Sequence, residues 1–317
     1  MTALALDESV NQVLAQLEPH RSSACRRYVC FWLVALPILG LAALVVCSVP
    51  DADRLMTIAV AGGAAAVILL PIRFWAKAAA KRLLNGFDSW RLDMIQAIDS
   101  NARYHRDRMI ANEEFDASGI CLQQYNGYTG SDFLAIGDGM RVSNLNVTYT
   151  YTETYYVTVT DSNGNSRQET RTRQVTVPVF TGLFMVLDAP LPHPGWVMVR
   201  GRGQSLPRGL EKVTLASPDF MKTFAVGASD GFIGHRVLSP SFAETVQAFQ
   251  AQWGDSKVAL SYRGNKLYVA IDGRNLGFGK TPGILRRLRP AQMQETYECC
   301  AANIGFLKAT ATQLMPA

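Results

Sequence analysis

Three arginines in a glycine-rich stretch, Arg200, Arg202 and Arg208 with Gly201 and Gly203, are the residues whose type and spacing come nearest to a binding chemistry. Guanidinium groups are permanently charged and present a fixed fork of donors, so this loop is suited to attracting a small anionic ligand. No catalytic constellation accompanies them. Gly279-Lys280-Thr281 resembles the end of a phosphate loop. However, Arg274 stands five positions before Gly279, where glycine is required, and Pro282-Gly283 interrupts the helix that should follow. The four histidines, His20, His105, His193 and His235, are scattered, and no two share the i, i+4 spacing of a zinc site. There is no Gly-x-Ser-x-Gly elbow, and no cysteine is tied to a histidine by sequence. Asp132, Asp138 and Asp230 lie near glycines and read as turn residues. Asn146-Val147-Thr148 fits a glycosylation sequon, which has no meaning in a cytosolic segment. The reading therefore contains no catalytic residue, no metal ligand and no cofactor.

These residues need elements to hold them, and the chain begins with elements made for a bilayer. Two apolar runs, Tyr28 to Val49 and Leu55 to Ile72, flank the short stretch Pro50 to Arg54. About 20 residues of helix cross a hydrocarbon core of about 30 Å, so each run is long enough to span it. The second contains Ala61-Gly62-Gly63-Ala64-Ala65-Ala66, weak in transfer energy but suited to close packing on the first. The competing reading of the first run, a cleaved signal peptide, is opposed by its length and by the span that follows. Arg21, Arg26 and Arg27 precede the first run, and Arg73, Lys77, Lys81 and Arg82 follow the second. The connection holds only Arg54 against Asp51 and Asp53, so both ends are expected on the cytoplasmic side of a bacterial inner membrane. Arg73, Lys77, Lys81 and Arg82 are then candidates for contact with lipid headgroups.

The bulk charge adds little: 31 basic against 26 acidic residues give +5, and nucleic acid is not implied. Six cysteines without a C-x-x-C pair are expected as thiols in a reducing compartment. Cys300 falls on the stripe Met293, Tyr297, Cys300, Ile304 and Leu307, which marks it as a core residue of a terminal helix.

Past the second span, Lys77 to Glu114 has no proline and reads as one helix. Leu83, Phe87, Trp90, Met94 and Ile98 form a face that would seat the soluble domain or, alternatively, a coiled-coil partner; Arg91, Asp93, Asp99, Arg103 and Asp107 form the polar face. A ribbon of two strands follows, Val147 to Thr160 and Arg167 to Val177, with Asn163-Gly164 as the turn. That turn would set Tyr156 opposite Arg171 and Thr158 opposite Glu169. Both faces are polar, so the ribbon should project into solvent or lie along another surface. Tyr149, Tyr151, Tyr155 and Tyr156 are candidates for a partner surface, with cross-strand packing as the competing use. Val179 to Leu187 and Trp196 to Val199 read as further strands, and Pro190 to Gly209 as turns and loop. Ser217-Pro218 and Ser239-Pro240 read as capped helix starts, the second leading Phe242, Val246, Phe249 and Trp253. Val258, Leu260 and Tyr262 should then pair in a hairpin with Leu267, Val269 and Ile271.

The expected organisation is α+β: an amino-terminal cytosolic segment (1–27), a transmembrane helical hairpin (28–75), a juxtamembrane helix (76–115), a β-rich region with its long ribbon (116–210), an α+β unit (211–275) and a basic linker with a terminal helix (276–317). Several landmarks in order, Phe115-Asp116-Ala117-Ser118-Gly119, Tyr128-Thr129-Gly130-Ser131-Asp132-Phe133 and Phe180-Thr181-Gly182-Leu183-Phe184, resemble the bacterial domain-of-unknown-function family 3137. Phe220 with Phe224-Ala225-Val226, Leu238-Ser239-Pro240 and Leu267-Tyr268-Val269-Ala270-Ile271 look like that family's closing segment. The resemblance covers roughly Lys77 to Gly273. It departs at Thr181, where arginine is expected, and at Ile120-Cys121, where Leu-Phe is usual. It implies an architecture and carries no activity. The functional reading is a membrane-anchored cytosolic interaction or scaffold protein, non-enzymatic, with the bilayer and a protein partner or second copy of the chain as its contacts. The alternative is a membrane-tethered sensor or enzyme that takes a small anionic ligand in a cleft of the soluble domain.

Overall fold

The computed structural model describes residues 3–50, 54–160, 166–188, 195–254, 256–278 and 283–314. It divides into a helical unit (residues 1–94 and 279–300) and a sheet unit (95–278 and 301–317). The expected turn at Asn163-Gly164 and the phosphate-loop-like Gly279-Lys280-Thr281 with Pro282 lie outside the described residues, as do Asp51 and Asp53 and the start of the loop at Pro190.

The helical unit is dominated by α1 (Ala3–Ser48) and α2 (Arg54–Ile98). Both are long and apolar enough to cross a membrane. They run antiparallel: Arg27 lies over the Trp75 ring, 4.3 Å from its centroid, and a Cβ on Gly86 would come within 2.8 Å of Leu17. Their apolar flanks are bare, with Leu33 67 %, Leu44 67 % and Leu55 83 % exposed, while the small Ala35 and Ala65 are the buried residues of the two runs. Small residues where helices meet and large ones facing outward are the pattern of a hairpin surrounded by lipid.

At 46 residues and about 1.5 Å each, α1 is far longer than a bilayer needs. Its first turns therefore continue the hairpin beyond the apolar runs, where Val10, Leu17 and Ala24 are buried at heptad spacing. The stripe Leu83, Phe87, Trp90 and Met94 is buried, as its spacing predicts, while Ile98 is half-buried. Arg91, assigned to the polar face, is also buried: it pairs with Asp88 at 3.2 Å and stacks on Phe87.

The helix expected to reach residue 115 stops at Ile98. Asp99 ends it, for its Oδ1 accepts from the Asn101 N–H at 2.9 Å and its carbonyl accepts from Ala102. This local competition with the helix is characteristic of aspartate. The chain turns directly into β1 (Ala102–His105), then α3 (Asn112–Ser118), β2 (Gly127–Ile136), β3 (Met140–Thr160) and β4 (Ser166–Asp188). Next come β5 (Trp196–Gly201), β6 (Glu211–Val213), α4 (Pro218–Thr223), β7 (Phe224–Ala228), α5 (Gly231–Val237) and α6 (Pro240–Gln252). The hairpin β8 (Val258–Arg263) and β9 (Lys266–Asp272) precedes α7 (Pro290–Leu314).

Among the described residues the strands form one antiparallel nine-stranded sheet, ordered β1-β2-β3-β4-β9-β8-β5-β7-β6. The α+β expectation holds, and strands from both sides of residue 210 share this sheet. The two serine caps form as expected, Ser217 accepting from Phe220 N–H and Ser239 from Phe242 N–H. The closing hairpin has the expected register, with Val258 opposite Ile271, Leu260 opposite Val269 and Tyr262 opposite Leu267. On that face Phe242 of α6 meets Tyr262 edge-on, Trp253 meets Phe306 of α7, and the Tyr262 hydroxyl donates to the Leu314 carbonyl at 2.7 Å. Cys300 is buried on α7 with Met293, Ile304 and Leu307, and none of the six cysteines is in a disulfide.

Two expectations about β4 change. The ribbon's return strand and the apolar strand from Val179 are a single strand of 23 residues, and Pro178 does not divide them. Instead the pairing slips by one there: Val147 opposes Phe180 but Thr148 opposes Pro178, leaving Val179 as a bulge. Proline lacks the ladder donor, and a bulge is where a strand tolerates it. The slip carries into the ribbon, so Arg171 faces Tyr155 and Glu169 faces Val157, one residue off the expected register. Asp132 likewise is no turn residue. It sits at φ 58° in the irregular stretch of β2, and its carboxylate accepts from the Tyr104 hydroxyl (2.6 Å), Ser131 (2.7 Å) and Asn144 (3.0 Å). Asp138 does lie in a turn, and Asp230 caps α5 through the Phe232 N–H.

Candidate functional site

The face of the sheet opposite α6 contains a cavity of about 360 Å³. Its floor follows from cross-strand register. Phe184 on β4 opposes Ala270 on β9, and Ala270 opposes Ala259 on β8. On β5, Met198 opposes Ser261, so Arg200, two residues on, projects from the same face beside Ala259. Two neighbouring alanines between larger side chains leave a dent in the sheet. Phe115 of α3 and Phe180 wall it, and Ile120, Cys121, Leu122 and Gln123 pass over it.

That overpassing loop is pinned at its start. Gly119 ends α3 in the left-handed region (φ 64°), and the Trp196 ring occupies the space a Cβ would need. Ser261 Oγ donates to the Ser118 carbonyl at 2.6 Å and accepts from Trp196 Nε1 at 2.9 Å, while Arg263 donates to the Ala117 carbonyl at 3.0 Å. Farther along, the Tyr125 hydroxyl contacts Asn112 and Asp116, and the Tyr128 hydroxyl donates to the Ile110 carbonyl. Burial raises the pKa of both tyrosines, so these hydroxyls remain protonated donors.

Among the three arginines of the expected anion loop, the structure brings only Arg200 to the cavity. Arg202 and Arg208 are exposed and do not line it. Arg200 Nη1 donates to the Ser205 carbonyl at 2.7 Å, whereas its Nε is buried and meets no acceptor. Burial without a carboxylate partner lowers the guanidinium pKa. Lys257 and Asp272 also line the cavity, two residues the sequence offered no reason to single out because the fold alone places β8 between β9 and β5. Cys121 donates to the Gln123 carbonyl at 3.3 Å, and burial pushes its thiol pKa up, away from a reactive thiolate. Among the described residues no group of three His, Cys, Asp or Glu could hold a metal ion.

A second surface is the ribbon formed by residues 149–160 of β3 and 166–177 of β4. Here β3 has passed the end of β2, and β4 has yet to meet β9, so neither outer edge is paired by a strand. One side chain, Asn126, imitates the missing neighbour by accepting from Thr150 N–H and donating to its carbonyl. Tyr149, Tyr151 and Tyr155 share one face with Val157, Val159, Val175 and Val177; Tyr156 lies on the other. All four tyrosines are exposed, Tyr149 stacking on Tyr151 with centroids 6.0 Å apart. Glu153 and Arg173 pair on the tyrosine face at 2.7 Å.

The basic collar is a third. Arg73, Lys77, Lys81 and Arg82 are all exposed on α2. Within the same unit, Arg21 donates to the Ile284 carbonyl at 3.2 Å, which holds the exposed Arg286, Arg287 and Arg289 to the base of α1.

Comparison with known proteins gives a limited frame. Residues 178–309 match DUF3137, a family of proteins of unknown function. The landmarks from Phe180 to Ile271 fall inside that match, and those at Phe115 and Tyr128 fall before it. No curated protein matches the chain. Among solved structures, the mycobacterial trehalose monomycolate transport factor A, TtfA, aligns over 71 % of this chain and 94 % of its own at 10 % identity and a TM-score of 0.33, too low to indicate a shared fold.

Proposed function

We propose that this chain, a carrier of the DUF3137 segment, is a membrane-anchored, non-enzymatic interaction protein that assembles with further copies of itself through the β3–β4 ribbon. The observation that carries this reading is the ribbon itself: roughly 40 Å of two-stranded sheet, at about 3.4 Å per residue, with both faces in solvent and no strand on either edge. Two strands alone are marginal in water, and an open edge invites a third. The β3 edge from Tyr149 to Thr160 has no proline or lysine to block pairing and only Glu153 as a charge. Around a two-fold axis that edge is complementary to its own copy, since antiparallel pairing is symmetric.

In this reading the hairpin α1–α2 lies in a bacterial inner membrane with both termini and the sheet unit in the cytoplasm, because the basic residues cluster beyond the two ends of the hairpin. Arg286, Arg287 and Arg289 add to the collar that faces anionic headgroups.

Light scattering on the full chain in lipid nanodiscs tests the assembly. The wild type should run as a defined multiple of its 34.8 kDa mass. A variant with residues 149–177 replaced by Asn-Gly should be a monomer with an intact sheet. A monomeric wild type, or a shortened variant that still assembles, would overturn the proposal.

A further inference from the structure

The cavity under residues 120–123 is independent of the ribbon, and its lining carries a distinct prediction. We infer that it binds a small monoanionic amphiphile, a carboxylate on an apolar body, with Arg200 as the anchoring group.

The apolar part follows from the floor and walls. Phe115, Ile120, Leu122, Val179, Phe180 and the Ala259–Ala270 pair make the lining mainly apolar, and a volume of about 360 Å³ lies in the range of small-molecule sites. A cavity intended only for water would need polar partners on several sides.

The anionic part follows from Arg200. A guanidinium offers five N–H donors, and here one group has a carbonyl partner while Nε is buried with none. Leaving a charged donor buried and unmatched is costly, so the fold retains it against a stability gradient that a bound acceptor would remove. Nε with the adjacent Nη2 forms the edge of the fork that receives both oxygens of a carboxylate. The other charges in the lining are Lys257 and Asp272, which leave one net positive charge and so favour a single negative charge over a polyphosphate. Gln123, Gln204 and Ser205 add neutral polar groups to the lining.

Two sources can supply that chemistry, a fatty acid from the neighbouring membrane or a water-soluble aromatic acid, and the test separates them. Calorimetric titration of the full chain in nanodiscs, with empty nanodiscs subtracted, would use octanoate and 3-phenylpropanoate as probes. Saturable binding of either acid is expected, and the tighter one identifies the source. Arg200→Met should weaken it at least tenfold, and Arg200→Lys, which keeps the charge but loses the fork, by less. Ala259→Leu, which fills the dent while leaving Arg200 in place, should abolish it, with melting temperature confirming that each variant is folded. Octylammonium binding as tightly as octanoate would overturn the charge assignment, and inorganic phosphate binding as tightly would overturn the apolar body. Failure of both acids to saturate, or equal affinity in Arg200→Met, would overturn the site.

Discussion

The strands β3 and β4 pair along their whole described length, yet their two halves are different materials. In the inner half, residues 140–147 and 180–187, β4 reads Leu183-Phe184-Met185-Val186-Leu187 and every one of these side chains is buried. In the outer half, Thr and Tyr alternate on β3, Arg and Thr on β4, and most positions are exposed. The hydrogen-bonded ladder is the same in kind on both sides of the bulge at Val179. Backbone pairing therefore decides how long a strand is, and side-chain burial decides how much that length contributes to stability.

The largest effect should come from the inner half. Phe184 is fully buried among Phe115, Tyr268 and Ala270, so Phe184→Ala removes an aromatic ring from a packed core. A loss of about 3–5 kcal/mol is expected in a denaturant melt. A loss below about 1 kcal/mol would mean that the core around β4 is as soft as the ribbon, and the contrast would break.

Much of this division was legible in the sequence, for a physical reason. A continuous apolar run in a strand signals burial on both faces, and a Thr/Tyr alternation without an apolar face signals exposure, so Val179 to Leu187 and Val147 to Thr160 were separable by composition. The serine-proline caps and the closing hairpin were legible because their signals are local. What escaped depends on distant residues. Pro178 looked like a strand end, but the bulge that accommodates it is a property of the pair β3–β4. Asp132 looked like a turn residue until Tyr104 and Asn144 were brought to it from two other strands. Arg91 looked like a solvent-facing charge, and burial beside Phe87 depends on how the helical unit packs. In the candidate cavity Arg200 was visible as one of three arginines, but nothing local distinguishes it from Arg202 and Arg208. Strand order alone puts it beside Ala259 and near Lys257.

Charge pairs sharpen the comparison at an intermediate scale. Asp99, at the start of the sheet unit, is nearly buried and pairs with Lys308 at 2.7 Å. The hydrogen bond from Lys308 holds its carboxyl below the ordinary aspartate value, with the backbone N–H of Asn101 adding to the effect and burial opposing it. A carboxyl whose folded pKa is depressed contributes stability that is present above its unfolded pKa, about 3.9 for an unperturbed aspartate. That contribution fades as pH falls through the lower folded value. Lys308→Met should therefore be less stable than the wild type at neutral pH, and the gap should close as the pH falls below about 4 in acid melts. On the ribbon, Arg173 and Glu153 pair at the same distance but in solvent, so Arg173→Met should leave the melting temperature unchanged within error. A pH-independent gap for Lys308→Met would show that the aliphatic stem, not the pair, stabilises that end of α7.

The smallest effect is expected at Tyr156, 72 % exposed and on the ribbon face opposite the other three tyrosines. Its cross-strand neighbour is Thr170, and no ring lies against it among the described contacts. Tyr156→Ala should change the melt by less than about 0.5 kcal/mol, because little area is withdrawn from water in the folded chain. The same substitution still carries information once assembly is measured beside stability. A side chain that is idle in the monomer but costly to remove from an oligomer marks an interface, since a tyrosine contributes most where its ring is covered and its hydroxyl remains wet. Dissociation of the nanodisc oligomer by Tyr156→Ala at unchanged melting temperature would locate the contact on that face. Dissociation by Tyr151→Ala alone would locate it on the tyrosine–valine face.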